Sequence, residues 1–185
     1  QQESFSKIIS YGSTGSGPEY FRLWSKDGKI VEFGGSDDSR IEVRGSNDVL
    51  FWKINKMEDR FSNYQTFSYF EDNASGESYP LRIDYTGNSS LAMTPYNSVR
   101  FEYETRADNA PKFFVGSPVL MSKRLSRIQM FVAAGKAWSY ELTYDEDDSI
   151  SHSRLLNVTQ CTNRGRCLNG TVFTWEDSSP TFAEP

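Results

Sequence analysis

An all-β fold of antiparallel hairpins, forming a twisted multi-stranded sheet or a sandwich, is what this sequence predicts. Three observations predict it. Apolar and polar residues alternate at period two along most of the chain, and helical 3.6-residue periodicity is nearly absent. Eight Ala stand against 25 Ser, a balance that disfavours a helical bundle. Leu, Ile, Val and Phe number only 40 of 185 residues, but 13 Phe, 10 Tyr and 4 Trp compensate. Each buried ring removes roughly 150–250 Å² from water, so a core can form without many aliphatic side chains.

The elements follow in order. Residues 1–19 read as a flexible lead-in, with Gly12 to Pro18 (GSTGSGP) its most linker-like part. Phe21 and Leu23, then Val31 and Phe33, flank Lys26-Asp27-Gly28, a polar turn with Gly where positive φ is needed. Leu50, Trp52 and Ile54 share one face of a single strand running down to Glu58-Asp59. The segment Asp59-Arg60-Phe61-Ser62-Asn63 is its turn, and Gln65, Phe67 and Tyr69 mark the return. Asn73 to Tyr79 is a polar connection to a strand on Leu81, Ile83 and Tyr85; Gly87 to Asn97 is another, suited to bend the chain between sheets. Val99, Phe101 and Tyr103 alternate with Arg100, Glu102 and Glu104. After Pro111 to Pro118, a hairpin joins Ile128, Met130 and Val132 to Trp138, Tyr140, Leu142 and Tyr144 through Ala133-Ala134-Gly135-Lys136. Leu156 to Gln160 and Thr171 to Trp175 bring the total to about ten strands. No compositional break divides residues 20–177, which read as one β-rich domain before a polar tail at 178–185.

Twenty Lys and Arg against 25 Asp and Glu give a net charge of −5, which argues against a nucleic-acid partner. The longest apolar stretches, such as Phe131 to Ala134, fall far short of the roughly 20 residues of a membrane-spanning helix. The opening Gln1-Gln2-Glu3 has neither an initiator Met nor a charged-then-apolar leader, as expected of a processed protein or a piece of a longer one.

Cys161 and Cys167 flank Thr162-Asn163-Arg164-Gly165-Arg166. With one His in the chain, His152, a zinc site is disfavoured; a disulfide closing a small loop and a pair of reduced thiols both remain. Asp37-Asp38 and Asp145-Glu146-Asp147-Asp148 are acidic, but consecutive carboxylates on a strand point to opposite faces, so solvated turns explain them best. His152, in Ser151-His152-Ser153, has no nucleophile elbow to serve and reads as an exposed loop residue. Gly12, Gly15 and Gly17 fit neither the P-loop nor the dinucleotide pattern. Glu102 and Glu104 share a strand face, as glycoside chemistry would want, yet Arg100 and Arg106 lie nearby and cross-strand charge pairing is the simpler account. Sequons stand at Asn73, Asn88, Asn157 and Asn169. No catalytic, cofactor-binding or metal-ligating residue is assigned, no cofactor is expected, and the expectation is a protein that is not an enzyme.

Several stretches, in order, carry a resemblance. They are Tyr20 to Gly34 (YFRLWSKDGKIVEFG), Trp52 to Tyr64 (WKINKMEDRFSNY), Tyr79 to Asn88 (YPLRIDYTGN) and Arg124 to Ile128 (RLSRI). Tyr140 to Tyr144 (YELTY), Ser153 to Leu156 (SRLL) and Cys161 through Cys167-Leu168 to Phe173-Thr174-Trp175 complete the series. It resembles the SpvB-type domain of bacterial virulence proteins and of the B component of insecticidal toxin complexes, related in style to Rhs/YD-repeat proteins. The resemblance covers roughly residues 18–177. It implies a scaffold or shell-closing element of a larger toxin, secreted or at a cell surface, with other domains or subunits of the assembly as partners. It also implies that any enzymatic activity lies in a separate C-terminal domain. The competing reading is a carbohydrate- or receptor-binding β-sandwich whose partner is a host receptor or glycan. A hydrolase using His152 or the acidic run ranks last.

Overall fold

Alternation at period two becomes fifteen strands in a computed structural model, which describes residues 5–176 apart from 44, 73, 110–111, 115–116 and 146–151. They are β1 (Lys7–Tyr11), β2 (Tyr20–Trp24), β3 (Ile30–Phe33), β4 (Arg40–Glu42), β5 (Val49–Trp52), β6 (Ile54–Glu58), β7 (Asn63–Asp72) and β8 (Glu77–Asn88). The rest are β9 (Asn97–Thr105), β10 (Lys112–Phe114), β11 (Ser117–Val119), β12 (Lys123–Val132), β13 (Gly135–Tyr144), β14 (Leu155–Thr162) and β15 (Thr171–Val172). Eleven form one antiparallel sheet in the order β1-β2-β3-β6-β7-β8-β9-β12-β13-β14-β15. The all-β antiparallel expectation therefore holds, as a meander whose strands follow in chain order across the sheet. Two short hairpins, β4–β5 and β10–β11, are inserted between β3 and β6 and between β9 and β12.

Local chemistry makes the turns. Gly28 sits at φ +82° and donates its N–H to the Ser25 carbonyl, closing β2 onto β3 with Phe21 opposite Phe33 and Leu23 opposite Val31. The Asp59 carboxylate accepts the N–H groups of Phe61 (2.8 Å) and Asn63 (3.0 Å), an Asx-type turn that starts β7.

Four sequence expectations need correction. The lead-in at residues 1–19 contains β1, because Ile8 pairs with Leu23 and the Tyr11 ring stacks on Tyr20 at 4.9 Å. The single strand expected from Leu50 to Glu58 is two. Lys53 interrupts it by donating its N–H to the Ser39 carbonyl (2.7 Å) and accepting that of Gly34 (2.9 Å), so β5 pairs with β4 while β6 pairs with β3. The connection Asn73 to Tyr79 already contains the start of β8, where Tyr79 lies opposite Phe70. Gly87 to Asn97 does not carry the chain to another sheet: paired N–H···O bonds between Asn88 and Met93 close it back, and β9 pairs directly with β8.

The inserted hairpins approach each other near the β7–β8 turn, where Leu120 donates its N–H to the Ser75 carbonyl at 3.1 Å. Between them lies a cavity of about 230 Å³, bordered by Ile41, Phe51, Tyr79, Val119, Leu120 and Met121 among others. No helix among the described residues is long and apolar enough to cross a membrane.

Candidate docking surface

Residues paired across neighbouring strands share a face, so the register sorts the sheet into two. One face is charged. Arg22 meets Glu32 at 2.8 Å, Lys56 meets Glu58 at 2.7 Å, Arg124 meets Glu104 at 2.6 Å, and Arg127 bridges Glu102 (2.7 Å) and Glu141. Long side chains lie over this face, and the guanidinium of Arg100 sits 3.8 Å from the Phe131 ring centre. Small residues underneath are sealed off: Ser98 is 2% exposed and Ser139 1%.

The other face is apolar. Phe67, Ile83, Val99, Met130 and Trp138 form one row across β7, β8, β9, β12 and β13. Ile8, Leu23, Val31 and Met57 form another across β1, β2, β3 and β6. Phe67, Ile83, Val99 and Met130 are only half-buried although they lie mid-sheet, and Trp138 is 38% exposed. Among the described residues, Val31, Ile41, Tyr79 and Cys161 are the buried hydrophobic ones. On the charged face long side chains pair with one another over buried serines; on the apolar face most of the row residues stay partly exposed.

The structure joins Cys161 to Cys167 in a disulfide whose loop carries Gly165 at φ +74°. Asp37 pairs with Arg40, and Asp38 accepts the Tyr69 N–H at 2.7 Å, so this acidic pair is used structurally. Asp145 donates its N–H to the Arg154 carbonyl at 2.8 Å, while Glu146, Asp147 and Asp148 lie outside the described residues. His152 is exposed. Glu102 and Glu104 pair across strands with Arg127 and Arg124 rather than with Arg100 or Arg106. Asn88 spends its amide on the Phe61 carbonyl and Asn63, and Asn157 on Thr159; Asn169 is exposed, and Asn73 lies outside the described residues.

Three junctions were not visible in the sequence. The buried Glu77 accepts the N–H and hydroxyl of Ser122 and the hydroxyl of Tyr79. Burial alone would raise its pKa, but these bonds outweigh burial and hold it below the ordinary value. Asp108, its side chain 7% exposed, pairs with Arg106 and accepts both the N–H (2.5 Å) and hydroxyl (2.7 Å) of Ser153. The pKa of Glu71 on β7 is raised to about 7, by burial first and then by Glu42 on β4, with Lys53 opposing and Asp38 adding to the shift.

An antiparallel meander with one charged and one apolar face defines the class of protein. No family model matches the chain, and no curated protein matches its sequence. Its fold does match solved structures. A crystal structure of TcdB2-TccC3 with Cdc42 aligns with a TM-score of 0.79 and 14% identity, over 97% of this chain and 11% of that one. TcdB2-TccC3-TEV aligns at 0.80, again with 14% identity over 97% and 11%. The N-terminal domain of effector protein SpvB from Salmonella typhimurium strain LT2 aligns at 0.74 with 12% identity, over 87% of this chain and 66% of that domain. The chain thus spans about a tenth of the toxin-complex chains and just under two thirds of the SpvB domain, and at these identities the likeness shows a shared fold.

Proposed function

We propose that the chain is a non-catalytic structural module of a larger secreted or cell-surface toxin, supplying sheet to a shell or a docking surface to a neighbouring domain or subunit. The open apolar face carries this reading. Five apolar side chains in a row at mid-sheet, none of them fully buried, need another apolar layer to leave water. The toxin context is supported by the fold shared with TcdB2-TccC3 and SpvB, in which the matching region is part of a longer chain. Secretion is supported by the disulfide, which persists in oxidising compartments. A structural role is supported by the use of Glu102, Glu104, Glu141, Asp108 and Glu77 in ion pairs and hydrogen bonds.

The test compares the chain alone with the chain expressed together with its flanking residues or assembly partners. The apolar face of the isolated chain should bind a hydrophobic dye, and that fluorescence should fall roughly fivefold in the larger protein. Val99→Glu should lower dye binding of the isolated chain while leaving its β circular dichroism intact. Equal dye binding in both contexts refutes the proposal. A second reading, glycan binding, is favoured by the exposed rings of Trp138 (38%) and Trp175 (54%). Reproducible binding on a glycan array, lost in Trp175→Ala, selects it instead.

A further inference from the structure

Beyond Cys167 the chain runs back along the outer edge of β14 as a strap. Leu168 donates its N–H to the Gln160 carbonyl at 2.9 Å, and Thr171 and Val172 pair with Val158 and Asn157. Phe173 then donates its N–H to the Leu156 carbonyl at 2.9 Å, and the Trp175 indole N–H goes to that of Leu155 at 2.8 Å. Little apolar burial holds the strap down, since Leu168 is 67% exposed and Val172 72%. It also closes over a polar atom that it does not satisfy. Asn157 Oδ1 is buried and accepts no hydrogen bond, and a Cβ at Gly170 would stand 2.1 Å from it. Such an atom favours any opening that returns it to water. What turns the strap onto β14 is the short loop closed by the Cys161–Cys167 disulfide, in which Thr162 donates its N–H to the Arg166 carbonyl at 2.8 Å.

The two cysteines are not equivalent. Cys161 is 7% exposed and Cys167 lies exposed, and both border a cleft of about 340 Å³ together with Arg166. Arg164 and Arg166 stand exposed in the loop, and neither makes an ion pair among the described residues. We propose that this disulfide is a reducible latch: an anionic low-molecular-weight thiol, drawn to the two guanidinium groups, attacks Cys167 Sγ and so releases the strap 168–175 from β14. The thiolate sulfur bonds to Cys167 Sγ as the bond to Cys161 breaks; Cys161 Sγ leaves with the electron pair and takes a proton from water. A second thiolate attacks the sulfur of the first, expels Cys167 as a thiolate that is protonated in turn, and departs as the oxidised reagent. Two thiols become one disulfide, and the protein gains two electrons and two protons. Exposed disulfides are the labile ones. Oxidising surroundings keep the strap down, and entry into a reducing compartment frees it and uncovers the outer edge of β14.

The test reduces the whole chain with mercaptoacetate, mercaptoethanol or cysteamine, which are anionic, neutral and cationic, with rates expressed per thiolate and corrected for thiol basicity. At low ionic strength mercaptoacetate should react about fivefold faster than mercaptoethanol, with cysteamine slowest, and high salt should erase the order. Arg164→Gln combined with Arg166→Gln should bring the three rates together. Mass spectrometry of the quenched reaction should find the first adduct on Cys167. In the reduced chain the Trp175 indole N–H and the amides of 168–173 should exchange about tenfold faster, with β7 and β8 unchanged. Equal rates with all three thiols, a preference that survives in the double Arg variant, or a first adduct on Cys161 would each overturn the proposal. So would a strap whose exchange ignores reduction, or an acceleration spread evenly over the sheet.

Discussion

At Asp108 one carboxylate ties two segments together: its own stretch beyond β9, through Arg106, and the N–H and hydroxyl of Ser153 ahead of β14. The Arg106 guanidinium first, against the opposing effect of burial and with help from Ser153, holds the Asp108 carboxyl far below the usual carboxylate range. Its folded value is depressed, so its stabilising effect is present above about pH 4 and disappears as pH falls toward the folded value. Asp108→Asn should therefore cost about 2 kcal/mol in urea unfolding at neutral pH, with the gap from wild type narrowing in acid. A gap that stays constant down to acid pH would contradict the assignment. Gly34 makes a different point. It lies at φ +79°, and a Cβ there would stand 2.4 Å from Trp52 Cδ1; Gly45, at φ +75°, has open space around it. Gly34→Ala should lower the thermal midpoint well beyond Gly45→Ala, which meets backbone strain of only about 1–2 kcal/mol. None of this was legible beforehand, because Asp108 and Ser153 are 45 residues apart and Gly34 meets Trp52 only after the chain has turned aside at Lys53.

Strands and turns divide by whether their causes are local. The hairpin around Gly28 and the turn at Asp59 could be read from sequence because each is made by the side chains or backbone freedom of its own few residues. The break at Lys53 could not: Leu50, Trp52 and Ile54 alternate smoothly, and it is distant Ser39 and Gly34 that draw the peptide out of line. β1 was hidden for the same reason, since a glycine-rich stretch follows it and its pairing with β2 is what orders it. The disulfide loop belongs to this scale too. Replacing both Cys161 and Cys167 with Ser should cost about 2 kcal/mol, as expected for so short a closed loop. Exchange should quicken at the end of β14 and in β15 while β7 and β8 are unchanged; uniform acceleration would show that the bridge supports the whole sheet instead.

Across the whole molecule, sequence patterning conveyed the fold class and the charge pairing at Glu102 and Glu104, but not which face would be left open. Period two says that the faces differ; only the register shows that Phe67, Ile83, Val99, Met130 and Trp138 line up. Since each strand of the main sheet is bonded only to the strands on either side of it, stability should be graded. Hydrogen exchange should be slowest in β7 to β9 and β12 to β13 and fastest at β1 and β15, whereas a single cooperative rate for all eleven strands would refute this nearest-neighbour picture.

The same order has a mechanical consequence. β1 and β15 occupy opposite borders of a row of eleven strands, roughly 50 Å apart along the sheet at 4.7–4.9 Å per strand. A pull on the two ends runs across the strands, so it strains one rung of hydrogen bonds at a time rather than shearing a whole ladder. Tension would unpick the molecule like a zip from its borders inward, at low force, leaving only the Cys161–Cys167 loop closed.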